Sequence, residues 1–258
     1  MQQAYHVLRV VSEAQTVRLV LSAQPDELAL SELASACALY TVEPKTGGGV
    51  KAIVLDFTAS SVGVEVQRQA APSPAQVVQA RQAVRALAPP VLAVVRATLS
   101  PQASILAHAA DLLLAANDAL LTITDPQCQH DRLSGEQAAR LGYVTWCAPT
   151  ESLKAEMERI LNMLRDKSAI ALRHAKTATR LGIEASGGQE IPCEEGQQPV
   201  SPIGNALQTP YPVDEAERRL AALAQVNAFY LAATMRSEDA QEGLRSFLEK
   251  RQPCWKNC

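Results

Sequence analysis

The chain has 258 residues, 47% of them hydrophobic, which is enough to fill the core of one large domain or two small ones. With 24 Lys and Arg against 27 Asp and Glu the net charge is −3, and no basic run is dense enough to neutralise a phosphate backbone, so a nucleic-acid partner is excluded. Residues 102–123 form the one apolar stretch of membrane-span length, but His108, Asp111, Asn117 and Asp118 interrupt it, each at a high cost in lipid.

The opening segment carries Glu13, Asp26 and Glu27 and no uninterrupted apolar run of signal-peptide length. Cysteines 37, 128, 147, 193, 254 and 258 form no C-x-x-C pair and have no matching histidines, which argues against a zinc site. Reduced thiols in a cytoplasmic protein are the expectation.

In chain order, the alternation in "YHVLRVVS" and "TVRLVLS" predicts a β-hairpin around Glu13-Ala14-Gln15. Leu28, Leu30, Leu33, Ala34, Cys37 and Leu39 follow at helical spacing, and "VKAIVLDF" is an apolar run of strand length. Ser73-Pro74 opens a helix through residue 87, and "PPVLAVVRA" is a buried strand. This alternation implies a mainly parallel, right-handed α/β architecture.

The stretch from residue 100 to 123 divides into three pieces. Ser100 and Pro101 make an N-cap and first helical position for "SPQASILAHAAD", and "LLLAANDALLTI" gives two short strands around Asn117-Asp118. "SGEQAARLGYVTWCAP" adds a short helix and a strand. Beyond residue 150 the pattern is helical: one or two helices over 151–183 and two more over 214–250, broken near Arg236-Ser237. Residues 186–213, rich in Gly, Pro, Gln and Ser, read as a long mobile loop. The domain expectation is an α/β core over 1–150 and a helical region over 151–258.

Four stretches resemble one family. "SEDAQEGLRSFLEKRQPCW" at 237–255 is similar to the C-terminal tail of the enoyl-CoA hydratase/isomerase (crotonase) superfamily, and "LSGEQAARLGYVTWCAPTESL" at 133–153 to its helix-to-strand segment. "VKAIVLDF" and "PPVLAVVRA" resemble the strands before that family's two oxyanion loops. The resemblance implies a crotonase-like (ClpP/crotonase) spiral of β-β-α units with a helical C-terminal trimerisation region. It implies partners of the same kind: a homotrimer, or a hetero-oligomer with an active crotonase relative. In the tail, Ser237 is expected to cap a helix whose Glu238 and Asp239 favour its dipole, with Phe247 and Leu248 supplying packing.

Enzymes of that family hold an acyl-CoA thioester carbonyl between two backbone N–H groups and use two glutamates for proton transfer. Aligned without gaps, the glycine-rich second loop falls on Arg96 to Ala103, where no glycine remains, and the first glutamate falls on Ile105. The segment that carries the second glutamate is replaced by "TDPQCQHDRL", and the first loop survives only as a remnant in "FTASSVGVEV". A degenerate member, a pseudoenzyme serving as oligomer partner or scaffold without a cofactor, is the leading expectation.

The competing expectation is a thioester enzyme with a rebuilt site that binds coenzyme A thioesters. It would use the backbone N–H groups of Gln102 and Ala103 as oxyanion donors, His108 or His130 as acid/base, and Phe247 and Lys250 as contacts to coenzyme A across subunits. Other chemistries are weaker. Ser104, His108 and Asp111 share a helix face, but one helix rarely gives triad geometry. His130-Asp131 reads as a polar turn, the glycines of "KTGGGVKAIVL" precede a strand rather than a helix, and Cys128 and Cys147 lack an electropositive neighbourhood.

Overall fold

The computed structural model describes residues 5–41, 49–59, 71–123, 132–185 and 213–257. The chain forms two compact units, Met1–Arg173 with Trp255–Cys258, and His174–Cys254.

The first unit is built on a six-stranded sheet. β1 (Arg9–Glu13) and β2 (Thr16–Ser22) pair antiparallel through Ala14 and Gln15, both with positive φ, at 40° and 65°. Two left-handed residues make a turn whose twist matches the flanking strands, so the expected hairpin forms without glycine. β3 (Ala52–Thr58), β4 (Val91–Val95), β5 (Leu112–Ala116) and β8 (Trp146–Ala148) then add in parallel, giving the order β1-β2-β3-β4-β5-β8. β6 (Leu120–Thr122) and β7 (Arg132–Ser134) form a separate antiparallel pair.

Helices α1 (Glu27–Ala38), α2 (Pro74–Arg85), α3 (Pro101–Ala107) and α4 (Gly135–Arg140) lie between the strands, and α5 (Leu153–Arg165) and the first turn of α6 (Ala169–Ala185) follow β8. Their starts follow from sequence. Asp26, Ser73, Ser100 and Ser134 each accept a backbone N–H three residues on, and Ser73 and Ser134 complete capping boxes with Gln76 and Gln137. The parallel strands are buried on both faces, as helix-covered sheets require. Leu19, Leu21, Ile53, Leu55, Phe57, Leu92 and Leu114 meet Leu30, Leu33 and Leu106 in one core.

Two local features fix the end of β5. Asn117 donates its N–H to Ala148 O at 2.9 Å, and Gly135 donates its own to Ala119 O at 2.8 Å. A Cβ at Gly135 would sit 2.1 Å from Ala116 O, so only glycine lets α4 start this close to the strand. The apolar stretch of 102–123 is therefore a helix and two strands, and among the described residues no helix is long and apolar enough to cross a membrane.

The second unit is helical. It holds the remainder of α6, α7 (Val213–Phe229), one π-helical segment (Tyr230–Thr234) and α8 (Glu238–Leu248). The break expected near Arg236-Ser237 is the π segment and the α8 cap, where Ser237 Oγ accepts the Ala240 N–H at 3.2 Å. The ring of His174 meets Phe229 edge-on at 5.4 Å. Beyond α8, Arg251 grips both carboxylate oxygens of Glu242, at 2.6 and 3.0 Å, and Glu242 also accepts the Cys254 N–H. These donors hold the Glu242 carboxyl well below the usual range, at about 2.

One packing expectation is corrected here. Phe247 and Leu248 are 81% and 79% exposed rather than packed, because they point away from the α8 face that buries Asp239 and Ser246. The proposed mobile loop over 186–213 lies outside the described residues except for its last position.

Candidate functional site

Residues 96–100 connect β4 to α3, and three backbone bonds tie this segment to its neighbours. Arg96 N–H extends the ladder to Phe57 O at 3.1 Å, Leu99 N–H reaches Leu120 O at 2.9 Å and Ser100 N–H reaches Ala23 O at 2.9 Å. The segment is thereby fixed to β3, to β6 and to the connection after β2, without the glycines that a close backbone approach would need.

At the start of α3 the backbone donors are accounted for one by one. Pro101 has none. Ala103 N–H goes to Ser100 Oγ at 3.2 Å, and Ser104 N–H to Ser100 O at 2.9 Å. Of the two oxyanion candidates, Ala103 is thus engaged by its own cap, while Gln102 N–H makes no hydrogen bond among the described residues. Ile105, at the position the resemblance gives to a glutamate, is half-buried against the core and has no proton to transfer.

The side chains of Ser104 and Asp111 each accept a backbone N–H. Ser104, 1% exposed, accepts the Thr122 N–H at 3.0 Å, and Asp111 accepts the Val91 N–H at 2.8 Å. His108 caps the C-terminus of α3. The residue is exposed at the surface, and desolvation of the imidazole lowers its pKa below the ordinary 6.5.

His130, the other acid/base candidate, lies outside the described residues, as does most of the first-loop remnant. Thr122 pairs directly with Arg132, so residues 123–131 are the whole connection between β6 and β7. Phe247 and Lys250, in the second unit, are both exposed, and Lys250 has a left-handed φ of 53° where α8 ends. Cys147 is half-buried on β8 beside Trp146, consistent with a strand residue. Among the described residues no group of His, Cys, Asp and Glu is placed to hold a metal ion.

A charged cluster escaped the sequence reading. Asp56 on β3 is fully buried and is bonded by Arg18 from β2 and by Arg96 from the end of β4. "VKAIVLDF" scans as apolar, but it contains one acid, and the flanking strands "TVRLVLS" and "VLAVVR" each contain one arginine. Opposite charges inside adjacent buried strands were the available signal.

No family model and no curated protein matches the chain. Solved structures do match over nearly its whole length. An enoyl-CoA hydratase from Mycobacterium smegmatis is 20% identical with a TM-score of 0.67, covering 96% of this chain and 98% of that one. An enoyl-CoA hydratase from Bacillus anthracis is 19% identical with a TM-score of 0.64, covering 98% and 100%. Pseudomonas aeruginosa DspI is 16% identical with a TM-score of 0.69, covering 97% of each chain. The chain has the crotonase-like fold that these enoyl-CoA hydratase structures share.

Proposed function

We propose that the chain is a degenerate member of the crotonase superfamily that has lost hydratase chemistry and acts as a non-catalytic oligomer partner or scaffold. The observation that carries this reading is at the start of α3. Ser100 takes up the Ala103 N–H, Pro101 offers no donor, and Ile105 stands where the resemblance places the family's first glutamate. A site that cannot move a proton cannot add water to an enoyl thioester by the paired-glutamate route. Its exposed residues on α7, the π segment and α8, including Leu220, Leu231, Leu244 and Phe247, support assembly. The assembly is a homotrimer or a hetero-oligomer with an active crotonase relative in the cytoplasm, without nucleic acid or cofactor.

The experiment is hydration of crotonyl-CoA by the pure protein, with an active hydratase as positive control, alongside light scattering. No turnover and a mass of several protomers are expected. Hydration that disappears on substitution at Gln102 would overturn the reading.

A second reading rests on one observation, the unengaged Gln102 N–H. It describes a thioester enzyme in which that donor polarises an acyl carbonyl and His108 or His130 supplies the acid/base function, with Phe247 and Lys250 contacting coenzyme A. Calorimetry with CoA and short acyl-CoAs separates the two readings: absence of heat at millimolar ligand eliminates the second.

A further inference from the structure

Two arginines and one carboxylate meet on the sheet face that carries Met157 of α5. Asp56 is completely buried. Its Oδ1 accepts the Arg96 Nε–H at 2.7 Å, and its Oδ2 accepts the Arg18 Nε–H at 2.7 Å together with a second bond from Arg18 Nη2. The arginine side chains keep 32% and 22% exposure for Arg18 and Arg96. One negative charge thus faces two partly desolvated positive charges, and among the described residues no second carboxylate bonds either arginine.

Taking a charge out of water is costly unless a counter-charge meets it. Arg96 directs Nη2 at the thioether sulfur of Met157 at 3.6 Å, a weak acceptor for a guanidinium. Nη1 of both arginines bonds no described residue. The strand register adds to the excess: Arg9 lies opposite Val20, which lies opposite Asp56, so Arg9 shares this face. Glu13, the acid of β1 on the same face, is at the far end of that strand, opposite Thr16. Arg96 stands just past the carboxyl end of β4, Asp56 lies in the second half of β3, and Arg18 is the third residue of β2.

We infer that Arg18 and Arg96 form a seat for a small oxyanion, a carboxylate or a phosphate, with Asp56 holding both guanidiniums in position. The buried carboxylate fixes each Nε edge during folding, so the outer N–H groups are already oriented when the anion arrives. Guanidinium groups match the planar, multi-oxygen geometry of such ligands better than an ammonium does. The seat depends on neither Gln102 nor Ile105, and so it stands or falls apart from the thioester readings.

The test is a titration of the full chain, labelled at arginine side-chain nitrogens, with inorganic phosphate and separately with malonate, against sodium chloride at equal ionic strength. Saturable shifts in the Nε–H signals of Arg18 and Arg96 are expected in the millimolar range, with none at Arg159, which is exposed and paired with Glu156. The two arms show which oxyanion the seat prefers. Arg96→Lys keeps the charge and loses the planar donor set, and it should weaken binding about tenfold. Absence of a saturable shift at either arginine overturns the proposal, as does an equal response in sodium chloride. If Arg96→Lys does not fold, the wild-type titration decides alone.

Discussion

Ser100 Oγ accepts the N–H of Ala103 at 3.2 Å, so the hydroxyl that starts α3 also occupies one of the two candidate oxyanion donors. The two substitutions that remove this hydroxyl separate its roles. Ser100→Ala should lower the unfolding free energy by about 1 kcal/mol, and Ser100→Gly by only a few tenths, because glycine is itself tolerated at N-caps. Both free the Ala103 N–H. Urea denaturation reads the stabilities, and neither variant should hydrate crotonyl-CoA.

Restoring one acid is not expected to restore the reaction. Ile105→Glu places a carboxyl in a half-buried apolar position, which should cost about 2 kcal/mol and raise that carboxyl's pKa. The double variant Ser100→Gly/Ile105→Glu then has a free N–H and one acid, yet no described residue stands as the second. Turnover of crotonyl-CoA by this variant, measured against an active hydratase, would show that a second acid is not needed.

The Asp56 cluster gives a different kind of prediction. Asp56→Asn removes the one negative charge between Arg18 and Arg96, leaving two cations with a neutral amide. Breaking a fully buried pair costs roughly 3 to 5 kcal/mol. Both arginines keep some solvent, which recovers part of the loss, so about 3 kcal/mol is expected in equilibrium unfolding. An unchanged midpoint would mean that the guanidiniums swing out to water at no cost.

Most of the architecture was legible because it rests on local rules. Ser73-Pro74 and Ser100-Pro101 announced their helices, and alternation marked β1 and β2. The short strands on either side of Asn117-Asp118 were readable from the polar break. The Asp56 cluster was not read, because its members are 38 and 40 residues apart in sequence and meet only through the register of three parallel strands. The outward direction of Phe247 was hidden for a related reason. A Phe-Leu pair at the end of an amphipathic helix fits a core and an interface equally well, and only the face that α8 buries decides between them. At the candidate site the sequence revealed the missing glycines, Ile105 and the Ser100 cap, whereas only the fold shows that the cap takes the N–H of Ala103 and not that of Gln102.

Glu32 offers a prediction about acid stability. This α1 carboxylate is 8% exposed and accepts three successive backbone N–H groups, from His6, Val7 and Leu8, at 2.7, 3.0 and 2.9 Å. The His6 ring adds a fourth contact at 3.2 Å. Burial alone would raise the carboxyl pKa, but the backbone donors and the ring outweigh it and lower the value from 4.5. The unfolded chain therefore takes up this proton first as pH falls. The resulting stabilisation is complete above about pH 4.5 and is lost as pH drops through the lower folded value. Glu32→Gln keeps one acceptor oxygen for three donors, and it should cost about 1 to 2 kcal/mol at neutral pH. It should also flatten the acid limb of the stability curve and speed amide exchange at residues 6–8 ahead of the β1–β2 hairpin. An acid limb identical to that of the wild type would place the pH dependence on other carboxylates.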